Sequence, residues 1–279
     1  MTQEHSAVGA GARTIVSATL LRWLACSMIF FHHYLKSIGQ ISNYGLSPII
    51  AIGIFCLLAG AFSQSRINDT VGWLRKKIFR ILVPAWIIGI PMLVLNMVVQ
   101  AKPKGFFSVV MELIGLQFFV TPLFEATWFV TLILGLYLAV FLSGLAKTGR
   151  LAILALLCLM LYFVMNTWGT LEYLLGGKLA FWIIAFFMGY MLSNQTKNGL
   201  RAVDRWLNNR LAHRSYPPIP PIPDVTYYFY LVHPPVLYLL SRAAHFSPET
   251  CFFWGVFVSM TASFVVEKVD VSIQSRVSR

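Results

Sequence analysis

The chain has 279 residues, of which 58% are hydrophobic and only 11% charged. A soluble domain carries roughly 25% charged residues, so an ordinary globular protein is excluded. The formal net charge of +12 lies between apolar segments and not along a soluble face, which argues against a nucleic-acid partner and for basic loops that orient a membrane protein.

Apolar runs of about 17–25 residues are long enough to cross a hydrocarbon core. In chain order they predict helical spans at 14–34, 45–63, 78–100, 128–145, 151–167, 178–193, 227–244 and 249–267. The predicted fold is all-α, a polytopic transmembrane helical bundle of about eight spans in one membrane-embedded domain over 1–279. The first run is interrupted by Arg22 and lacks a small-residue cleavage site, so it reads as a retained span and not as a signal peptide.

Residues 105–122 are apolar but contain Glu112 and Gln117. If this segment does not cross, sixteen Lys and Arg residues lie on the inner side and five on the outer, with Arg22 in the membrane. If it crosses, the basic stretch 194–224 moves outside, against the positive-inside rule. It is therefore expected to be a re-entrant or interfacial outer segment buried against protein. Both termini are then cytoplasmic and the location is the cell membrane. Segment 194–224 is expected as a cytoplasmic basic and proline-rich loop. Its amphipathic part, 200–207, suits a surface of anionic lipid, and its prolines at 217–223 favour extended chain.

Arg22 is the strongest chemical signal. A basic side chain in a span costs about 2.5–3.5 kcal/mol on insertion scales and is usually functional; the bland alternative is a helix-pairing role. Eleven residues separate it from His33, about 16.5 Å along a helix and three turns plus about 20°. The two side chains thus project from one face, while His32 points about 80–100° away. His33 becomes a candidate general base. Lys77 and Arg80, three residues apart before Pro84, share a helix face. They read either as ordinary flanking charges or as a phosphate site.

Softer signals follow along the chain. Gly53 and Gly60 lie seven apart on one face of the second span, a packing pattern. Trp128 suits an interfacial anchor. His233 is followed by Pro234 and Pro235, which should kink or loosen the helix. Glu267 beside Lys268 suits a snorkelling carboxylate. Cys26, Cys56, Cys158 and Cys251 fall in apolar segments without metal or redox spacing and read as packing residues.

Taken in order, these motifs resemble the acyltransferase-3 family of membrane O-acyltransferases. Its Arg-x10-His signature is matched by Arg22 and His33, with Ala25 in place. Its Phe-Phe-x-x-Ser-Gly motif is similar to Phe55-Cys56-Leu57-Leu58-Ala59-Gly60, and its Arg-x-x-Arg motif to Lys77-Ile78-Phe79-Arg80. Trp128-Phe129, Tyr230-Leu231-Val232-His233-Pro234 and Glu267 resemble later motifs. The departures are Thr19 where an acidic residue is usual, Ala59 for Ser and Lys77 for Arg. Members commonly have about ten spans, so the resemblance implies that one helical hairpin is missing between 193 and 226.

The resemblance implies transfer of an acyl group, commonly acetyl, from cytoplasmic acyl-CoA to a hydroxyl of a surface or secreted glycan, with no metal. It implies His33 and Arg22 as catalytic, and Lys77, Arg80 and Arg22 as binding the acyl-CoA co-substrate. His33 acts either as general base or through a covalent acyl-His. The expected partners are a carbohydrate or glycolipid acceptor and membrane lipids. Two rival readings are a glycan or lipid transporter or flippase, and a non-catalytic subunit of a glycan-export complex. A transporter is disfavoured because no internal repeat is visible.

Overall fold

A computed structural model describes residues 15–41, 45–63, 70–100, 105–120, 127–146, 148–169, 177–213, 225–243 and 246–277. All regular structure among these residues is helical. The proline run 217–223 and charges such as Arg13, Arg66 and Lys147 lie outside them. Ten α-helices occur among the described residues, beginning with α1 (Val16–Ser37), α2 (Leu46–Ala61), α3 (Thr70–Gln100), α4 (Phe106–Leu113) and α5 (Trp128–Gly144). They continue with α6 (Arg150–Trp168), α7 (Gly177–Met191), α8 (Ser193–His213), α9 (Thr226–Tyr238) and α10 (Pro248–Val277).

Hydropathy locates apolar stretches, and several helices outrun them. Helix α3 starts at Thr70 and α10 ends at Val277, beyond the apolar limits 78 and 267, because Lys, Arg, Glu and Gln are good helix formers and need no lipid to continue a helix. Helix α9 ends early and gives way to a π turn over Leu239–Ala243. Its Pro234 and Pro235 remove two backbone donors from the ladder. Among the described residues, three helices are long and apolar enough to cross a membrane, over Thr70–Val94, Arg150–Trp168 and Pro248–Ile273. Helices α2, α5 and α7 are apolar but shorter.

Of segment 105–122, residues 105–120 are described, and they form one short helix followed by a turn. Helix α4 has eight residues, about 12 Å in length, far short of a hydrocarbon core. A turn at Gly115, with φ 83, follows it and leads to a 3-10 turn, Gln117–Phe119. That left-handed backbone favours glycine; a Cβ there would also lie 2.5 Å from Leu134 Cδ1. Thr131 Oγ1 donates to the Gly115 carbonyl (2.7 Å) and accepts from the Phe118 amide (3.0 Å). Trp86 Nε1 donates to the Leu113 carbonyl at 2.6 Å. Glu112, Gln117 and Phe118 are buried by these contacts.

Eight helices form a closed circuit of packed neighbours, in the order α1, α2, α7, α6, α5, α3, α10, α9 and back to α1. The tightest seam is α2 on α7. A Cβ on Gly60 would fall 2.0 Å from the Phe186 carbonyl oxygen, and one on Gly189 would fall 2.0 Å from that of Leu57. Both helices therefore approach backbone to backbone, as small-residue packing allows. Gly53 belongs to the same seam, facing Phe181. Trp182 Nε1 to the Ile49 carbonyl (2.9 Å) and Ser193 Oγ to the Ala61 carbonyl (2.6 Å) fasten its two ends. Helix α6 shows the opposite behaviour: only Leu154, Cys158 and Met165 are buried, while Leu156, Leu159, Met160 and Phe163 are exposed, a surface suited to lipid.

Trp128 is not an exposed anchor. It is fully buried and stacked on Trp182, with ring centroids 4.9 Å apart. It opens α5 inside the bundle, where its large apolar area fills the space between α5 and α7. The four cysteines are buried and reduced, as packing residues would be.

Candidate functional site

The stretch expected to be a loop at 194–224 is helical from Ser193 to His213 as α8. Amphipathic order extends well beyond 200–207 because the polar residues around that window also sustain a helix. Helix α8 lies across the start of α1, and one carboxylate holds it there. Asp204 Oδ2 accepts from the Val16 amide (3.0 Å) and Oδ1 from the Ser17 amide (2.7 Å). The residue before α1, Ile15, offers no side-chain cap, so Asp204 supplies the missing acceptor from 188 positions away in sequence. A carboxylate there also meets the positive end of the helix dipole. Ser17 Oγ donates to the Leu200 carbonyl at 2.9 Å, one turn before Asp204 on α8.

This docking helps to close a cavity of about 640 Å³. Its walls come from α1, α2, α3, α5, α8 and the start of α9, and five of the lining residues are cations: Arg22, Lys77, Arg80, Lys197 and Arg201. None of the described residues lining it is acidic. The volume lies within the range of small-molecule and cofactor pockets, about 300–1,000 Å³. Arg22, Lys77 and Arg80, which sequence spacing marked out separately on two helices, thus meet in one chamber. Arg22 occupies only the second turn of α1 and opens into this chamber, which relieves the cost of a charge in a span.

Aromatic rings hold three of the cations. Arg22 and Lys197 each lie 5.6 Å from the centroid of Phe62, and Lys77 lies 5.0 Å from that of Tyr137. Such contacts fix a cation without neutralising it. Burial, and after it Arg201 on the next turn, hold Lys197 below the ordinary lysine range. Tyr227, on the cavity wall, donates its hydroxyl to the Ile81 carbonyl at 2.9 Å. Tyr228 donates to Asp270 Oδ2 on α10 at 2.6 Å.

His33 does not line this chamber. It is buried further along α1, with its ring 5.2 Å from that of His233 and 5.5 Å from that of His32. His32 is buried as well, so the roughly 100° between neighbouring positions on the helix does not carry it out of the protein. His233 Nδ1 sits 2.9 Å from the Phe229 carbonyl oxygen. A carbonyl only accepts, so Nδ1 carries the proton and Nε2 presents a lone pair. That Nε2 is buried with no hydrogen-bond partner among the described residues. A layer of rings joins chamber and histidines: Phe55 and Phe129 line the cavity, both contact Tyr230, and Tyr230 contacts His233.

Spacing alone found Arg22, His33, Lys77 and Arg80. It missed Lys197, Arg201 and Asp204 as site residues, since they lay in a segment expected to be a loop, and it took His233 for a helix irregularity that only the family resemblance singled out. It also missed Asp270, buried beside Tyr228, while Glu267, which it noticed, is half-exposed. The family model for acyltransferase-3, described as an acyltransferase domain, matches residues 15–212. That range includes all five chamber cations, Asp204 and His33, and stops before α9. No curated protein and no solved structure matches the chain.

Proposed function

The chain belongs to the acyltransferase-3 family, and from that premise we propose that this membrane acyltransferase takes an acetyl group from acetyl-CoA entering from the cytoplasm and passes it to a hydroxyl of a surface or secreted glycan. The observation that carries the donor reading is the chamber with five cations and no acid among its described lining residues. Such a chamber suits a ligand with several phosphates. It also weighs against a non-catalytic subunit, which has no need of so many like charges converging on an open space. Both termini lie in the cytoplasm in this reading, with the chamber mouth on the same side.

The nucleotide end of the donor rests against Lys77 and Arg80, and the pantetheine arm runs past Arg22 towards His33. The distance from Arg22 to His33, about 16.5 Å along α1, is bridged by the arm, with the layer of Phe55, Phe129 and Tyr230 parting to admit it. His33 accepts the proton of the acceptor hydroxyl as the oxygen bonds to the thioester carbonyl carbon. Arg22 steadies the arm or the carbonyl oxygen of the donor. The carbon–sulfur bond then breaks, and the proton returns from His33 to the departing thiolate. His233, its tautomer set by Phe229, is the fixed neighbour against which the His33 ring is oriented.

The test is surface-glycan O-acetyl content in cells lacking the protein, complemented with wild type, His33→Ala, Arg22→Ala or His32→Ala at matched protein levels. Wild type should restore acetylation, His33→Ala and Arg22→Ala should not, and His32→Ala should lose much less. Equal restoration by all four would end the assignment of His33 and Arg22.

A further inference from the structure

Resting on that donor reading, we propose that Lys197 and Arg201 form a phosphate subsite on the α8 wall, reaching the chamber rim, that reads the 3′-phosphate of CoA, so that the protein selects free CoA thioesters over donors lacking that group.

The argument starts from position. Helix α8 is fastened to the first turn of α1 by Asp204 and Leu200. Arg22 lies five residues beyond Ser17 on α1, about 7.5 Å deeper along the helix. Lys197 and Arg201, four residues apart on α8, form the α8 wall of the chamber: Lys197 shares the Phe62 ring with Arg22, and Arg201, one turn further along α8, faces the solvent at the rim. Arg201 is solvent-exposed and Lys197 half-buried, and both line the same cavity.

The ligand has a matching polarity. Its thioester is at one end and its 3′-phosphate at the other, on the adenosine, with the diphosphate between. A thioester directed inward along α1 leaves the diphosphate beside Lys77 and Arg80 and the 3′-phosphate at the α8 wall.

Charge supports the same division. A phosphomonoester carries about −1.5 to −2 near neutral pH, and the diphosphate adds about −2. Five cations without an acid among the described lining residues match that total far better than a diphosphate alone. A pantetheine thioester carried on a protein lacks the adenosine end, so it would leave Lys197 and Arg201 facing each other without an anion. Phosphate is also the chemistry of lipid headgroups, and α8 exposes Val203 and Trp206, so the test must separate the two sources.

The experiment measures binding of CoA and of 3′-dephospho-CoA to the full-length protein in nanodiscs of phosphatidylcholine, and again with phosphatidic acid added. Wild type should bind CoA about 10- to 100-fold more tightly than dephospho-CoA, the scale of one or two charged hydrogen bonds. Arg201→Gln and Lys197→Gln should shrink that ratio towards one, chiefly by weakening CoA, and Lys197→Arg should preserve it. The wild-type comparison removes the group from the ligand, so it stands even if a variant fails to fold. Equal affinity for the two nucleotides overturns the subsite and leaves the donor reading intact. Equal affinity combined with phosphatidic acid binding that depends on Lys197 and Arg201 assigns the pair to lipid and overturns it too. Failure to bind either nucleotide overturns both readings.

Discussion

Removing the Asp204 carboxylate tests how the site is held together. In Asp204→Ala the first-turn amides of Val16 and Ser17 lose acceptors at 3.0 and 2.7 Å, and no side chain at Ile15 replaces them. Loss of a helix N-cap costs about 0.5–2 kcal/mol, and the favourable meeting of carboxylate and helix dipole adds about 0.3–1 kcal/mol. A total of about 1–3 kcal/mol raises local opening roughly 5- to 150-fold. The Ser17–Leu200 bond survives, so α8 loosens without leaving. Hydrogen exchange followed by mass spectrometry on peptides covering 15–25 and 193–213 should show that acceleration, with Asp204→Asn in between because one oxygen can still accept. Peptides from α2 and α7 should exchange as in wild type. Unchanged exchange at the start of α1 in a folded Asp204→Ala protein would refute the clamp.

Other outcomes follow from the same contacts. Gly60→Ala and Gly189→Ala each drive a Cβ to 2.0 Å from a backbone oxygen, so each should cost about 1–3 kcal/mol or more and lower the melting temperature in detergent. Gly89→Ala, where a Cβ meets nothing within 4 Å, should leave it unchanged or slightly raised. Tyr228→Phe removes the donor to buried Asp270 and should destabilise by about 1–3 kcal/mol, seen in the same melting experiment. Lys197 is held below the ordinary lysine range by burial and by Arg201, so it loses its charge earlier as pH rises. Binding of a phosphate ligand favours the charged form, so CoA affinity should fall on the way from neutral pH to the usual lysine pKa of about 10.4. Titration across that range should show the fall in wild type and a flatter curve in Lys197→Arg, whose guanidinium stays charged.

Much of this protein was legible in the sequence because membrane proteins obey strong local rules. Apolar length marked the helices, including the stretch whose residues 105–120 fold as the short α4 and a turn back onto α5. Helical periodicity put Lys77 and Arg80 on one face, and both line the chamber. The glycines of α2 announced close packing, and their partner proved to be α7. What spacing could not supply was anything that joins distant segments. Asp204 caps a helix 188 residues away, and Lys197 joins Arg22 on Phe62 only because α8 folds back over α1. His233 meets His33 through the packing of α9 on α1.

The sequence by itself determined an all-helical membrane protein of this family, since chain length, hydropathy and ordered motifs are properties of neighbouring residues. Only the tertiary structure decided that the basic residues form one chamber, that a surface helix completes it, and that the signature histidine lies beyond its aromatic wall. Those facts depend on which helix faces touch. That is settled by side-chain volume, close glycine approach and a single capping carboxylate acting across the whole chain.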